Sequence, residues 1–401
     1  MKPLTVAMVA ACAFPANHGT PAAIREMSEN LASRGHSIHV VTYPLKEDIP
    51  IERVRIHRVR EVGGNQKIAV GPGYRRLAFD ALMIPKLCEV IRKYHVDIIH
   101  AHNYEGALVG YAAKKLTGIP LIYNAINTMI SELPSYGFIR PQFLAIKLAE
   151  FLDYVTPRMA DFIFANTEEL MSFIIGKGVS ADRVKVIHTG VQVEMFAKGD
   201  GKKVRDKFLI EGKPLVIYTG TFDQFQGLDY LFNAFKIVKD QYPEAVLLLV
   251  GSTVNPEHMV KYKSMARELR LENNVIFTTS SLDNLPDFLA AADVTVAPRP
   301  ISMGMPVKLL NYMAAAKPLV SFEGSARFLR HRENALLVKS EDTLEFGKAV
   351  IQLIADKSLA RQIGINARNS IEGNYDYKTL SQKIESLYNL VLEKQKRKSS
   401  Q

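Results

Sequence analysis

The stretch 298–322, PRPISMGMPVKLLNYMAAAKPLVSF, holds the residues best suited to chemistry. An apolar strand at 294–297 leads into it and another at 318–322 ends it, with a helix expected at 305–315. Ser302 and Gly304 lie in the loop between. A loop and helix start placed beyond a strand make an anion cup, because free backbone N–H groups and the helix dipole both favour phosphate. Lys308 falls in the first turn, where its ammonium can meet the same anion. The plainer alternative is a crossover helix that packs through Val307, Leu309, Leu310 and Met313.

Two more cups follow the same pattern. Asn17-His18-Gly19-Thr20 lies beyond the first apolar run, with Thr20 placed to cap a helix that has Pro21 at its first position. Tyr218-Thr219-Gly220-Thr221 with Gln226-Gly227-Leu228 follows a later strand, and Gly190-Val191 follows the strand at 184–187. None is a dinucleotide fingerprint: G-x-G-x-x-G is missing and the second strand ends in Val41-Thr42-Tyr43, with no acid for a ribose. His100 and His102 share one side of a strand end but lack a third ligand, and no Asp-x-Asp pair is available to hold a cation on a diphosphate.

The elements that must position these residues alternate along the whole chain. Strands are expected at 4–11, 37–43, 54–59, 97–100, 120–123, 162–165 and 184–187, with helices between. After a polar, glycine-bearing segment at 197–213 the alternation restarts, with strands at 215–218, 245–250, 275–277, 294–297, 318–322 and 336–338. Two such series predict an α/β protein with two doubly wound Rossmann-like domains, at 1–196 and 214–375. The segment 197–213 reads as their linker, and 376–401 as a closing helix. Ligands of such sheets bind beyond the carboxyl ends of the strands, so a cleft lined from both domains is expected.

Bulk properties agree. A chain of 401 residues exceeds one ordinary core. Two cysteines, Cys12 and Cys88, give no disulfide framework and suit a reducing compartment. The start, from Met1 through an apolar run to Ala13, imitates a secretory signal, but is better read as a buried first strand leading straight into a well-signalled helix. No run approaches the roughly 18 apolar residues of a membrane span. The net charge of +10 and pI near 9.3 suit an anionic partner. Nucleic acid is disfavoured, since no aromatic-interleaved basic strand, zinc finger or helix-turn-helix spacing is present. Acidic lipid is a second option. Arg53, Arg55, Arg58 and Arg60 lie on one strand region with Arg75 and Arg76 soon after, and Arg53 and Arg55 share a face. A solvated surface explains them equally well.

With the cups in order, the chain resembles the retaining glycosyltransferases of family 4, of the two-domain GT-B architecture. The likeness runs through HGTP at 18–21, RGHSIHVVTY at 34–43, DIIHAH at 97–102, VKVIHTGV at 184–191, YTGTFDQFQGL at 218–228, LLLVG at 247–251, NNVIF at 273–277 and LPDFLAAADVTVAP at 285–298. The branch with a G-T-F…Q-G loop and a P-x-K-x-x-x-Y helix is the one it looks like. The resemblance implies a nucleotide-sugar donor of UDP or GDP type, no metal cofactor, and a closing helix that crosses back to the first domain. The acceptor would be a polysaccharide, lipopolysaccharide or glycolipid precursor, with the enzyme in the cytoplasm and peripheral on the membrane. It implies a donor side of Gly19, Thr20, Gly220, Thr221, Gln226, Gly251, Met303, Gly304, Met305, Val307, Lys308 and Asn311. The acceptor side would hold His18, His102, Asn103, Asn124 and Asn127, with Lys308, Asn124 and Asn311 as catalytic candidates. Departures are also plain. The family's Glu, seven residues, Glu signature falls on Met303 and Asn311, and its Arg and Lys fall on Thr221 and Gln226. These leave two other readings open: a nucleotide-sugar-binding protein without activity, or a nucleotide-sugar epimerase on the same fold.

Overall fold

The computed structural model describes residues 2–15, 19–45, 51–62, 73–251, 256–281, 283–302 and 304–399. Its apolar runs form two all-parallel sheets. The first contains β1 (Thr5–Ala10), β2 (Ser37–Thr42), β3 (Val54–Arg58), β4 (Ile98–His102), β5 (Leu121–Ala125), β6 (Phe162–Ala165) and β7 (Val184–Val186), in the order β3-β2-β1-β4-β5-β6-β7. The run that imitates a signal is thus an interior strand, between β2 and β4. The second contains β8 (Leu215–Gly220), β9 (Val246–Gly251), β10 (Val275–Thr279), β11 (Val294–Ala297), β12 (Leu319–Phe322) and β13 (Leu336–Val338), in the order β10-β9-β8-β11-β12-β13. Parallel strands are joined by helices that cover both faces, so each strand must be apolar on both sides. β1 shows this: Ala7 and Val9 enter the core beneath the helices Tyr74–Tyr94 and Asn103–Thr117, while Val6, Met8 and Ala10 enter the opposite core. This is the two-Rossmann-domain GT-B fold.

The chain divides into two compact units, one carrying β1–β7 and the last helix, the other spanning Gly190–Asp376. The polar segment 197–213 lies inside the second unit and is built, not loose. Asp200 caps the helix Gly201–Phe208 by accepting from the Lys202 N–H at 3.1 Å, and Arg205 donates to Asp293 at 2.9 Å. Two of its three glycines serve close approach. A Cβ on Gly199 would lie 2.2 Å from the Pro286 carbonyl oxygen, and one on Gly201 2.6 Å from the Ala291 nitrogen.

The last helix, Tyr377–Ser399, packs on the first unit through Tyr377, Leu380, Ile384, Leu387, Tyr388 and Val391, the spacing of one helix face. Polar contacts fix its register. The Arg34 guanidinium donates to both Glu385 oxygens, and His36 Nε2 lies 3.1 Å from Oε1. The Leu4 N–H donates to His36 Nδ1 at 3.1 Å, so the proton of a neutral ring sits on Nε2, facing Glu385. Tyr388 closes on His100 Nδ1 at 2.7 Å.

The Arg34 hydrogen bonds hold the Glu385 carboxyl below the usual carboxylate range, against the opposing effect of burial. A depressed folded-state pKa adds stability above about pH 4.3, the unfolded value, and loses it as pH falls through the folded value. Glu385→Ala strands Arg34 and His36 and should destabilise the first unit by roughly 2–4 kcal/mol. Hydrogen exchange should locate the loss in the last helix. Unchanged protection of that helix in the variant would show that apolar packing alone holds it.

Candidate active site

In the second sheet the strand order reverses between β8 and β11, and at such a point the loops beyond the two carboxyl ends diverge and leave a crevice. Lys308 lies at that place. It is the second residue of the helix Val307–Ala314, two residues shorter at its start than the periodicity suggests. Its ammonium donates to Tyr218 Oη and to Gln226 Oε1, both at 2.8 Å, and sits 4.0 Å from the centre of the Tyr218 ring. Tyr218 in turn donates to the Thr221 carbonyl at 2.7 Å. Gly220 makes room for the lysine, since a Cβ there would stand 2.9 Å from Nζ.

The position usually basic in the family is thus filled by a neutral residue that binds a cation instead. Gln226 also reaches the Thr221 hydroxyl at 3.5 Å, so the two neutral substitutions bond to one another. Burial lowers the Lys308 pKa well below the lysine range, the Arg299 guanidinium adds to that, and Asp223 opposes it. Arg299 stacks over the Phe225 ring at 5.0 Å and donates to the Ile301 carbonyl at 2.9 Å. A second cation therefore comes from the loop after β11. Sequence reading missed it because it looked for that charge after β8. Tyr312, the tyrosine of the P-x-K-x-x-x-Y helix, has no role assigned from the sequence, although its i, i+4 spacing from Lys308 puts both on one helix face. Its hydroxyl accepts from the Thr219 N–H at 2.8 Å and lies 3.4 Å from the Val296 carbonyl, tying the helix to both strands of the reversal.

The other donor-side candidates separate into groups. Asn311 is 7% exposed and its Oδ1 is buried without a hydrogen bond, leaving an acceptor ready for a ligand donor. Gly304 is buried and its carbonyl accepts from Ser302 Oγ at 2.9 Å. Met305 packs in the core of the second unit, which gives it a structural role. Val307 opens the helix, and Gly251 closes β9 beside Gly220. Met303 lies outside the described residues. Gly19 and Thr20 begin the helix Gly19–Ser33, so Thr20 sits inside the first turn and does not cap it.

On the acceptor side, His102 and Asn124 do come together at the carboxyl ends of β4 and β5, with Nδ1 and Nδ2 3.1 Å apart. Burial lowers the His102 pKa to about 3, so its ring is neutral, and Nε2 has no partner. Two residues absent from the sequence reading complete this group. His188 Nδ1 lies 2.9 Å from the Asn166 carbonyl oxygen, and neither side-chain polar atom of Asn166 is hydrogen-bonded. His102, Asn124 and His188 line one small cavity with Met27, Ile126 and Tyr377. Asn103 starts the helix Asn103–Thr117 at φ +62, and Asn127 donates to Glu132 at 2.6 Å; neither lines that cavity. His18 lies outside the described residues.

Comparison with known proteins fits this geometry. A model described as Glycosyltransferase Family 4 matches residues 18–195, and one described as Glycosyl transferases group 1 matches residues 213–356. Both halves of the chain thus match glycosyltransferase domains. N-acetyl-alpha-D-glucosaminyl L-malate synthase of Bacillus anthracis is 24% identical over 94% of this chain and 96% of its own length. UDP-Gal:alpha-D-GlcNAc-diphosphoundecaprenol alpha-1,3-galactosyltransferase of Escherichia coli is 23% identical, over 77% of this chain and 79% of its own length. Among solved structures, HepE of Anabaena in complex with UDP aligns at TM-score 0.73 and 17% identity, covering 96% of this chain and 99% of that one. Sucrose-phosphate synthase of Thermosynechococcus elongatus aligns at TM-score 0.80 and 19% identity, covering 97% and 99%.

For a glycosyltransferase of this family the lowered pKa of Lys308 has a measurable consequence. A diphosphate favours the ammonium, so donor affinity should be highest below the free-site pKa and fall as pH rises through it. Calorimetry across pH should show that fall, and Lys308→Arg, which keeps its charge, should flatten it. Lys308→Met should cost about 1.5–3 kcal/mol of donor binding. A folded Lys308→Met variant with unchanged affinity would remove the lysine from the site.

Proposed function

We propose that the protein is a retaining glycosyltransferase that moves a sugar from a nucleotide donor, of UDP or GDP type, to a polysaccharide, lipopolysaccharide or glycolipid precursor. The observation that carries this is the Lys308 ammonium, held between Tyr218 and Gln226 with Arg299 beside it, at the strand reversal of the second sheet. The UDP bound to HepE and the UDP-galactose in the name of the Escherichia coli relative support a nucleoside diphosphate in that place. The polyprenyl acceptor in the same name supports a lipid-linked acceptor. Free Cys12 and Cys88 suit the cytoplasm.

In the reaction the bond from the anomeric carbon to the diphosphate oxygen breaks and the acceptor oxygen bonds to that carbon. The nucleoside diphosphate leaves with added negative charge, and the acceptor hydroxyl's proton passes to the departing diphosphate oxygen. Lys308 and Arg299 stabilise the departing charge, an electrostatic effect that grows in a partly desolvated place. Asn311 offers its free carbonyl oxygen to a donor hydroxyl. On the other unit a neutral His102 with Asn124 suits an uncharged acceptor hydroxyl, since both present hydrogen-bonding groups without net charge.

Because the chain supplies its own cations, transfer is expected to survive chelation. A panel of nucleotide sugars with a lipid-linked glycan acceptor, followed by proton NMR of the product, should show transfer with the anomeric configuration kept. It should proceed equally in EDTA. Loss of transfer in EDTA that Mg²⁺ or Mn²⁺ restores would overturn the cation assignment. Donor binding with no transfer or hydrolysis would favour a binding protein, a reading motivated by the missing acids at Met303 and Asn311.

A further inference from the structure

A groove of about 460 Å³ opens at the amino ends of β2 and β3, the end of the first sheet opposite to His102 and Asn124. Residues 35–38 and 53–55 line it, and no carboxylate is among them. Arg53 and Arg55 are both exposed there, on one side of the chain as their i, i+2 spacing suggests. Arg55 stacks over the Tyr94 ring at 5.5 Å, and among the described residues neither arginine pairs with a carboxylate. The other arginines of this region are engaged elsewhere. Arg58 donates to the Phe14 carbonyl at 2.6 Å, Arg76 to that of Ala11 at 3.1 Å, and Arg75 pairs with Glu61.

β3 is an edge strand, and charge on an edge discourages pairing with another chain. Alternating signs would serve that purpose without mutual repulsion. Two guanidinium groups that share one groove are a different arrangement, which an anion stabilises. A hydrogen-bonded chain behind the groove points the same way. His57 Nε2 lies 2.9 Å from His39 Nδ1, and His39 Nε2 lies 3.2 Å from Oγ of the exposed Ser37. Burial holds both rings below the usual histidine range, His39 at about 4, and nearby cations add to it, Arg55 in both cases. With the rings neutral, His57 can donate to His39 and His39 to Ser37, which turns the Ser37 O–H outward as a donor. The reverse direction would commit that proton to His39. An anion in the groove selects the first.

We propose that Ser37, Arg53 and Arg55 bind the phosphate group of a soluble phosphorylated small molecule in this groove. Two guanidinium forks and a hydroxyl suit a tetrahedral dianion, and the groove is of small-molecule size. Its place makes it a regulatory site and not a substrate site, because reacting ligands of such sheets bind at the carboxyl ends of the strands. His36, in the same wall, bonds to Glu385, so the last helix is one hydrogen bond away from the groove. The assignment does not depend on the donor and acceptor readings.

Inorganic phosphate is the probe, titrated at fixed pH and ionic strength into the whole chain carrying isotope-labelled histidine. NMR should show saturable shifts of the His39 and His57 ring signals. Those shifts should persist in Lys308→Met, which removes the ammonium from the strand reversal of the second sheet. Arg53→Ala with Arg55→Ala should weaken phosphate binding by about tenfold or more, with melting unchanged, and Ser37→Ala by about three- to tenfold. Shifts that chloride reproduces, shifts unchanged in the double-alanine variant, shifts lost with Lys308, or no saturable shift at all would each overturn the proposal. Phosphatidylglycerol vesicles that displace phosphate from the groove would assign it to a lipid headgroup and overturn the soluble ligand.

Discussion

The ammonium of Lys308 is carried into a partly desolvated position, and a charge there is unfavourable unless something answers it. Tyr218 Oη, Gln226 Oε1 and the Tyr218 ring face answer it together. These groups come from β8 and the loop after it, whereas the lysine comes from the helix after β11. The polar contacts of one side chain therefore join the two loops that diverge at the strand reversal. Tyr312, one turn later, repeats the connection below them by bonding to Thr219 and reaching towards Val296. The helix is thus set on the sheet by polar bonds as well as by Leu309, Leu310 and Met313 in the core. The depressed pKa is the cost of this arrangement, and an anion beside the ammonium would relieve it.

Each unit places its polar groups beyond the carboxyl ends of its strands, but the two sets differ in kind. In the second unit the groups are cationic or aimed at a cation. In the first, the buried His102, Asn124 and Asn166 lie with the half-buried His188, and His102 is held neutral. A dianionic leaving group calls for the first kind and an uncharged hydroxyl for the second. Fold alone dictates neither, because both sheets are wound alike; the difference lies in side chains at equivalent strand ends.

Much of the fold was legible because parallel strands covered on both faces must be continuously apolar, and such runs as Leu247-Leu248-Leu249-Val250 have few other readings. Lys308 was legible for a similar reason, since it sits one turn into a helix that follows a strand. Less could be read where function depends on distance across the sheet. Nothing in the sequence brings Arg299 towards Lys308, or Asn166 beside His188, because those meetings arise from strand order. The segment 197–213 failed in the other direction. Glycine and charge there signal a loose linker, yet Gly199 and Gly201 are small so that the backbone can press on the helix Leu285–Ala291. Composition reports what a segment contains, and close packing is a property of what lies opposite.

The departures from the family pattern are better understood as a set than one by one. The two acidic positions hold Met303 and Asn311 and the two basic ones Thr221 and Gln226, so the site has lost two charges of each sign. That leaves its net charge unaltered while removing mutual pairs. Random loss would leave the remaining cation without partners in a half-desolvated place, and a free amine there would simply lose its proton. Instead Gln226 turns its carbonyl oxygen to Lys308 and its amide towards Thr221. Arg299 supplies a cation from the facing loop, and Asn311 retains an unpaired acceptor in the interior. At 7% exposure that oxygen is an acceptor which a ligand donor could satisfy.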